Sequence, residues 1–234
     1  MRRLLTMCCV AVFFALVAGA LLPAACPAAT YHVFPDATEW YEKLQYMGTL
    51  AGEGDTVVAA PGTYVIDPLD AWPIELGNEN GCPTFVSEGG AEVTIIQGDG
   101  TTPVFHVAED APEVVNIRID GYTIRGASAP FEVDPYYSFT LGALYIENCV
   151  IEENGQGIDL YNGNGRIAGN IIRNNSDDGI HIEYFDDVVE GNTISENDGW
   201  GIRARVAWGG GYIRGNHISG NGYGGVIMSW GPTV

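Results

Sequence analysis

The 234-residue chain has a formal net charge of −20, with 30 Asp and Glu against 10 Lys and Arg, and is 46% hydrophobic. That balance excludes nucleic acid and anionic lipid as partners, because both are bound through Lys and Arg set against phosphate. It leaves enough apolar residues for one domain with a real core.

The first elements in chain order form an export leader. Arg2 and Arg3 are a basic start, Val10 to Leu22 is apolar but too short to span a membrane, and Ala24, Ala25, Ala28 and Ala29 supply small residues for cleavage. Leu22-Pro23-Ala24-Ala25-Cys26 resembles a lipoprotein cleavage box, with Pro23 where such boxes carry Leu. Cleavage near Ala28 or Ala29 fits better and makes residues 1–29 a signal peptide, so the expected location is secreted or cell envelope, in the periplasm or at the surface. Removing the leader takes away two positive charges and brings the mature chain to −22. Of the five cysteines, Cys8, Cys9 and Cys26 leave with the leader, so Cys82 and Cys149 form either one disulfide or two buried thiols.

Residues 30–54 read as an N-terminal cap. Asp36-Ala37-Thr38-Glu39 has the form of a capping box, and Trp40, Leu44 and Met47 share one face of the short helix that would follow. Gly54-Asp55-Thr56-Val57-Val58-Ala59-Ala60-Pro61-Gly62-Thr63-Tyr64 then reads as strand, turn, strand.

From residue 55 to residue 234 the chain repeats itself. Cys149-Val150-Ile151-Glu152-Glu153-Asn154 aligns with Asn-x-Ile-x-x-Asn at 170–175, 192–197 and 216–221, each followed by Gly and an apolar residue: Gly157-Ile158, Gly179-Ile180, Gly201-Ile202 and Gly225-Val226. Ile119, Ile146, Ile167, Val189 and Ile213 form one column, and Ile124, Ile151, Ile172, Ile194 and Ile218 a second, with steps of 27, 21, 22 and 24 residues. A unit this short cannot bury its own apolar face, but stacked coils share a continuous core. The Leu-x-x-Leu-x-Leu signature of leucine-rich repeats is absent. The fold expected is therefore all-β, a single-stranded right-handed parallel β-helix with a short N-terminal capping helix. The asparagines are expected at tight corners, in left-handed turn conformation or bonded to one another along the axis.

The stretch Gly54–Tyr64, with the Asn-x-Ile-x-x-Asn and Gly-Ile repeats, resembles the pectin-lyase-like superfamily of right-handed β-helix proteins over residues 31–234. That superfamily includes lyases, hydrolases, epimerases, adhesins and non-catalytic envelope proteins, so the resemblance implies the fold and leaves the function to individual residues. Asn175-Ser176-Asp177-Asp178-Gly179-Ile180-His181-Ile182 resembles the Asp-Asp strand of polygalacturonase-type hydrolases. The rest of that pattern is missing: Asn154-Gly155-Gln156-Gly157 lacks the expected Asp, and Gly199-Trp200-Gly201 lacks the expected His. A second carboxyl group at the separation that inversion requires is not evident.

Alternation along the Gly-Ile strands turns Ile158, Leu160, Ile180, Ile182, Ile202, Ala204, Val226 and Met228 inward, with Phe131 and Val133 in the matching places of the preceding coil. Two outward columns follow: Glu132, Asp159, His181, Arg203, Ile227, and Asp134, Tyr161, Glu183, Arg205, Ser229. Such groups suit polysaccharide or cell-envelope glycan, with Asp159, Glu183, Asp134, Tyr136 and Tyr137 as substrate-binding residues. The competing reading is charge pairing across strands, as between Glu183 and Arg205. Uronate lyase or epimerase chemistry would use His181 as base, Tyr161 as proton donor and Arg203 or Arg205 as the cation that neutralises developing charge. A non-catalytic adhesin or structural envelope protein is the alternative. Asp177, Asp178 and Asp198 supply oxygens of the kind calcium takes, without a loop signature, and no cofactor is assigned. Gly231-Pro232-Thr233-Val234 follows a coil strand directly, which suggests an incomplete stack or an edge for self-association.

Overall fold

The computed structural model describes residues 28–67, 72–76, 83–107, 117–133, 143–161, 165–183, 188–206 and 211–230. From residue 56 onward each coil contributes one strand to each of three parallel sheets, and a further strand at the N-terminus joins the first sheet alone. The first sheet holds β1 (Thr30–Val33), β2 (Thr56–Ala59), β5 (Thr84–Ser87), β8 (Ile117–Asp120), β11 (Leu144–Glu147), β14 (Arg166–Ala168), β17 (Val188–Glu190) and β20 (Tyr212–Arg214). The second holds β3 (Gly62–Val65), β6 (Thr94–Gln97), β9 (Thr123–Arg125), β12 (Val150–Glu152), β15 (Ile171–Arg173), β18 (Thr193–Ser195) and β21 (His217–Ser219). In the third are β4 (Ile74–Leu76), β7 (Phe105–Val107), β10 (Phe131–Val133), β13 (Ile158–Tyr161), β16 (Ile180–Glu183), β19 (Trp200–Val206) and β22 (Gly224–Trp230). The chain is a single-stranded right-handed parallel β-helix.

The isoleucine columns read from the sequence are strand registers. Ile124, Ile151, Ile172, Ile194 and Ile218 are successive partners in the second sheet, as are Ile119, Ile146, Ile167, Val189 and Ile213 in the first. Except for Ile213 and Ile218 they are completely buried, and Phe85, Ile96 and Tyr64 extend the columns toward the N-terminus. Each buried Ile is worth roughly 1.5–3 kcal/mol. Aromatic rings fill the wider early coils: Phe105 meets Phe85 edge-on at 5.3 Å and stacks on Phe131 at 5.5 Å. In the last coil Val226 and Met228 pair with Ile202 and Ala204, yet remain 43% exposed each.

Two asparagine ladders hold the corners. In one, the Asn154 backbone N–H donates to Asn175 Oδ1 (3.1 Å), that of Asn175 to Asn197 Oδ1 (3.1 Å), and that of Asn197 to Asn221 Oδ1 (3.1 Å). Each Nδ2 reaches back to a carbonyl of the preceding coil, as Asn175 does to Ile151 (3.2 Å). Asn170, Asn192 and Asn216 repeat the arrangement at the other corner. Cys149 takes the Asn place at the top of that ladder, its N–H donating to Asn170 Oδ1 at 2.9 Å, which is why it begins an otherwise Asn-led motif. Its thiol is free and buried, and burial pushes it up to about 12. The left-handed expectation needs correcting. Positive φ falls one residue earlier, at Asn148, Glu153, Asn174, Glu196 and at Gly169, Gly191, Gly215 and Gly220. The turn residue absorbs the strain, so the ladder residue keeps its side chain aimed along the axis.

At the N-terminus β1 already pairs with β2, and the cap comprises two 3-10 turns, Trp40–Glu42 and Leu44–Tyr46, running into α1 (Met47–Leu50). Asp36 does not cap it: the residue preceding the first turn is Glu39, which makes no side-chain capping bond. Trp40 is half exposed, so the shared face breaks after one turn, because a 3-10 turn rotates side chains differently from an α-helix. Leu44, Met47 and Ala51 are fully buried on the end of the coil, and Gly48 lies so close that a Cβ there would collide with the Glu75 carbonyl. Deletion of residues 31–50 should uncover this apolar end and a strand edge, and the variant should elute as aggregate in size-exclusion chromatography. A soluble monomer would show that the segment serves another purpose.

Candidate functional site

Glycines set the polar strands of the third sheet in place. A Cβ at Gly157 would strike the Gly179 carbonyl, and one at Gly179 would lie 2.6 Å from Ile194 Cγ2. Without side chains these residues let each corner tuck under the next coil, so the following strands align. Asp159 pairs with His181, His181 with Arg203 and Arg203 with Ile227; Tyr161 pairs with Glu183, Glu183 with Arg205 and Arg205 with Ser229. Ile158, Leu160, Ile180, Ile182, Ile202 and Ala204 point inward and are buried. Glu132 follows Phe131, the register partner of Ile158. Asp134, Tyr136 and Tyr137 lie outside the described residues, as does the Tyr161 side chain.

His181 is bracketed by carboxylates. Its Nδ1 bonds Asp159 Oδ1 at 3.0 Å, while Nε2 sits 3.4 Å from Glu183 Oε1, closed off from solvent and without a hydrogen-bond partner. The Asp159 bond raises the imidazole above its ordinary value; burial and the Arg203 charge oppose the shift, and Glu183 adds to it. The folded chain thus favours imidazolium, and the stability this supplies is present in acid and lost as the pH rises through the raised value. Arg205 Nη1 donates to Glu183 Oε2 at 3.1 Å. Arg203 is held more loosely: its Nη1 is 3.6 Å from Asp178 Oδ2 and its side chain is 55% exposed.

The column extends further than the Gly-Ile motif indicates. Glu75 pairs with His106 and His106 with Glu132, and His106 Nδ1 bonds Glu75 Oε2 at 2.9 Å. These earlier coils lack the Gly-Ile signature, so only the register reveals them. Asp178 proves structural, since its Oδ1 accepts from the Trp200 backbone N–H at 2.6 Å and the residue is nearly buried. Among the described residues no three His, Cys, Asp or Glu side chains are grouped to hold a metal ion. No described helix is long and apolar enough to cross a membrane.

No curated protein and no solved structure matches the chain. One family model does, over residues 108–231, more than half the chain. That family's periplasmic setting agrees with an exported β-helix protein. The chain belongs to the family described as periplasmic copper-binding protein (NosD).

Proposed function

We propose that the chain is an exported β-helix protein, delivered by a signal peptide at residues 1–29, that binds polysaccharide or cell-envelope glycan through the outward face of the third sheet. The observation that carries this reading is the register setting Asp159, His181 and Arg203 side by side with Glu183 and Arg205 in the adjacent column. Planar hydrogen-bonding groups about 4.8 Å apart on a flat strand face suit a sugar's hydroxyls. Arg203, 55% exposed and only loosely held by Asp178, offers a cation to acidic sugars at this face. The segments after β10, β16 and β19 carry Tyr136 and Tyr137, Tyr184 and Phe185, and Trp208, residue types that stack on sugar rings.

Binding without turnover is favoured over a uronate lyase or epimerase. A general base needs an accessible lone pair, whereas His181 Nδ1 is bonded to Asp159 Oδ1 and its Nε2 is closed off from solvent. Among the described residues no donor group fits the copper named in the family description: Cys149 is a buried thiol whose sulfur lies against the Glu147 and Ile119 carbonyls, and His181 is committed to Asp159. Copper(I) and copper(II) sites draw on thiolate, thioether and imidazole donors brought together.

Changing His181, Arg203 and Arg205 together to Ala tests the proposal by affinity electrophoresis against neutral and acidic polysaccharides. Binding should disappear while the Tm falls by only a few degrees, since cross-strand pairs on a sheet face contribute about 0.2–1 kcal/mol each. Retained binding by the triple variant, or no binding by the unaltered protein, would overturn it.

A further inference from the structure

Just before β1 the chain meets the turn that leads into β2. The Ala29 backbone N–H donates to Asp55 Oδ1 at 2.7 Å, and the Gly52 N–H donates to Asp55 Oδ2 at 2.9 Å. The Asp55 N–H returns to the Gly52 carbonyl at 3.1 Å, so the turn holds its own carboxylate in place. The Ala29 carbonyl accepts from the Thr56 N–H at 2.9 Å, and Thr30 then pairs with Thr56 as β1 begins. Ala29 is thus held on both sides, while Ala28 before it is exposed. β1 is the outermost strand of the first sheet, where a chain terminus frays unless it is tied down.

Independently of that contact, few bonds here suit an export peptidase, which requires small residues directly before the cut and two places earlier. The Ala28–Ala29 bond offers Ala28 and Cys26. A cut after Ala29 puts Pro27 in the earlier place, a cut after Ala25 puts Pro23 there, and one after Ala24 puts Leu22. The bond after Cys26 leads into Pro27, which has no N–H. Ala18-Gly19-Ala20 has the right form but lies inside the apolar run from Val10 to Leu22. The bond that suits the enzyme best is therefore the one whose nitrogen rests on Asp55.

We infer that export processing cuts between Ala28 and Ala29, and that the freed α-ammonium of Ala29 closes an ion pair on Asp55 that latches β1 to the first turn. In the cut, water gives its hydroxyl to the Ala28 carbonyl carbon and a hydrogen to the Ala29 nitrogen as the C–N bond breaks. The new carboxyl group's proton passes to the amine, leaving a carboxylate on the departing leader and an ammonium on Ala29. A neutral donor thereby becomes a charged one, and charge-assisted hydrogen bonds are about twice as strong as neutral ones. The new cation stands almost alone, because Lys43 is the one Lys or Arg between residues 4 and 117. The inference rests on the export reading above, moves the end of the leader from residue 29 to residue 28, and needs nothing of the glycan reading.

The full chain, expressed in a Gram-negative host and recovered from its fractionated cells, tests both halves. The intact mass should match residues 29–234. An exported chain with another first residue, or one that begins at a lipidated Cys26, would overturn the latch and leave export standing. A cytosolic chain that keeps residues 1–28 would remove both. The ion pair is read by cyanate carbamylation at pH 7, in which only the unprotonated amine reacts, with peptide mass spectrometry separating the α-amine from Lys43, the chain's single lysine. Ala29 should react more slowly than the peptide Ala-Thr-Tyr-His-Val, because an adjoining carboxylate favours the charged, unreactive form by about tenfold or more. Asp55→Asn, which keeps a side-chain oxygen for the turn, should restore most of the rate; Glu53→Gln, exposed in the same turn, should not. Equal protection of Ala29 in the unaltered and Asp55→Asn chains would mean cover without charge and would overturn the ion pair. So would an Ala29 that reacts as fast as the peptide, a result that depends on no variant.

Discussion

Ile172→Asp is expected to leave the chain unfolded at neutral pH and room temperature, with the β-sheet circular dichroism signal lost. Ile172 is fully buried and paired with Ile151 on one side and Ile194 on the other. An Asp there loses the roughly 2 kcal/mol of Ile burial and places a carboxyl group in an apolar stack with no partner. An unpaired buried charge costs several kcal/mol more, which together rivals the whole stability of a domain at about 5–15 kcal/mol. Because the carboxyl escapes part of this cost by protonating, acidification should restore some structure. Ile171→Asp on the same strand is the control: its side chain faces outward, and the Tm should shift little. Equal damage from both would mean that the register is wrong.

Asn175→Ala should be the most damaging polar truncation. Its Oδ1 accepts from the Asn154 backbone N–H (3.1 Å) and from Asn154 Nδ2 (3.2 Å), while its own Nδ2 serves the Ile151 carbonyl (3.2 Å) and Asn197 Oδ1 (2.9 Å). Removal strands a backbone donor and a backbone acceptor in a corner where the residue itself is 1% exposed. Each stranded group costs about 1–3 kcal/mol, so a loss of about 3 kcal/mol or more is expected from urea unfolding midpoints. Asn221→Ala, at the half-exposed end of the same ladder, should lose roughly 1 kcal/mol because water reaches the groups it abandons. Asn175→Asp should not rescue the loss, since a carboxylate cannot donate to Ile151. Similar midpoints for the Asn175 and Asn221 variants would contradict the ladder.

How much of this was legible in the sequence follows from what repeats. Inward isoleucines and corner asparagines recur because every coil solves the same packing problem, so the spacing of Ile151, Ile172 and Ile194 revealed fold and register together. The outward columns could then be read by alternation, and Asp159–His181–Arg203 and Glu183–Arg205 fell where expected. The Glu75–His106 pair was hidden because the early coils use Phe105 and Phe131 in place of the Gly-Ile signature, and their irregular lengths conceal the phase. An ion-pair chain along the first sheet, from Arg118 to Arg214, was missed for a different reason. Arg118 and Arg166 occupy one outward position of the first sheet, while their partners Glu147 and Glu190, and Arg214 beyond them, occupy the other, so no single column shows the pattern. The cap was half legible: Leu44 and Met47 were recognisable as buried, but a 3-10 turn leaves no capping signature of the kind that marks a full helix.

The asparagine ladder gives the interior translational symmetry, whereas the outer faces have none. Each rung offers the next the same donors and acceptors, so coils are interchangeable units of length. Excising residues 170–191 would bring Asn192 beneath Cys149, Asn197 beneath Asn154 and Ile194 beneath Ile151, with every corner bond finding an equivalent partner. The same cut would erase His181 and set Asp159 against Arg203, which now lies two coils away. A lineage built on this scaffold can therefore gain or lose whole coils at little structural cost while rewriting the ligand surface at a stroke.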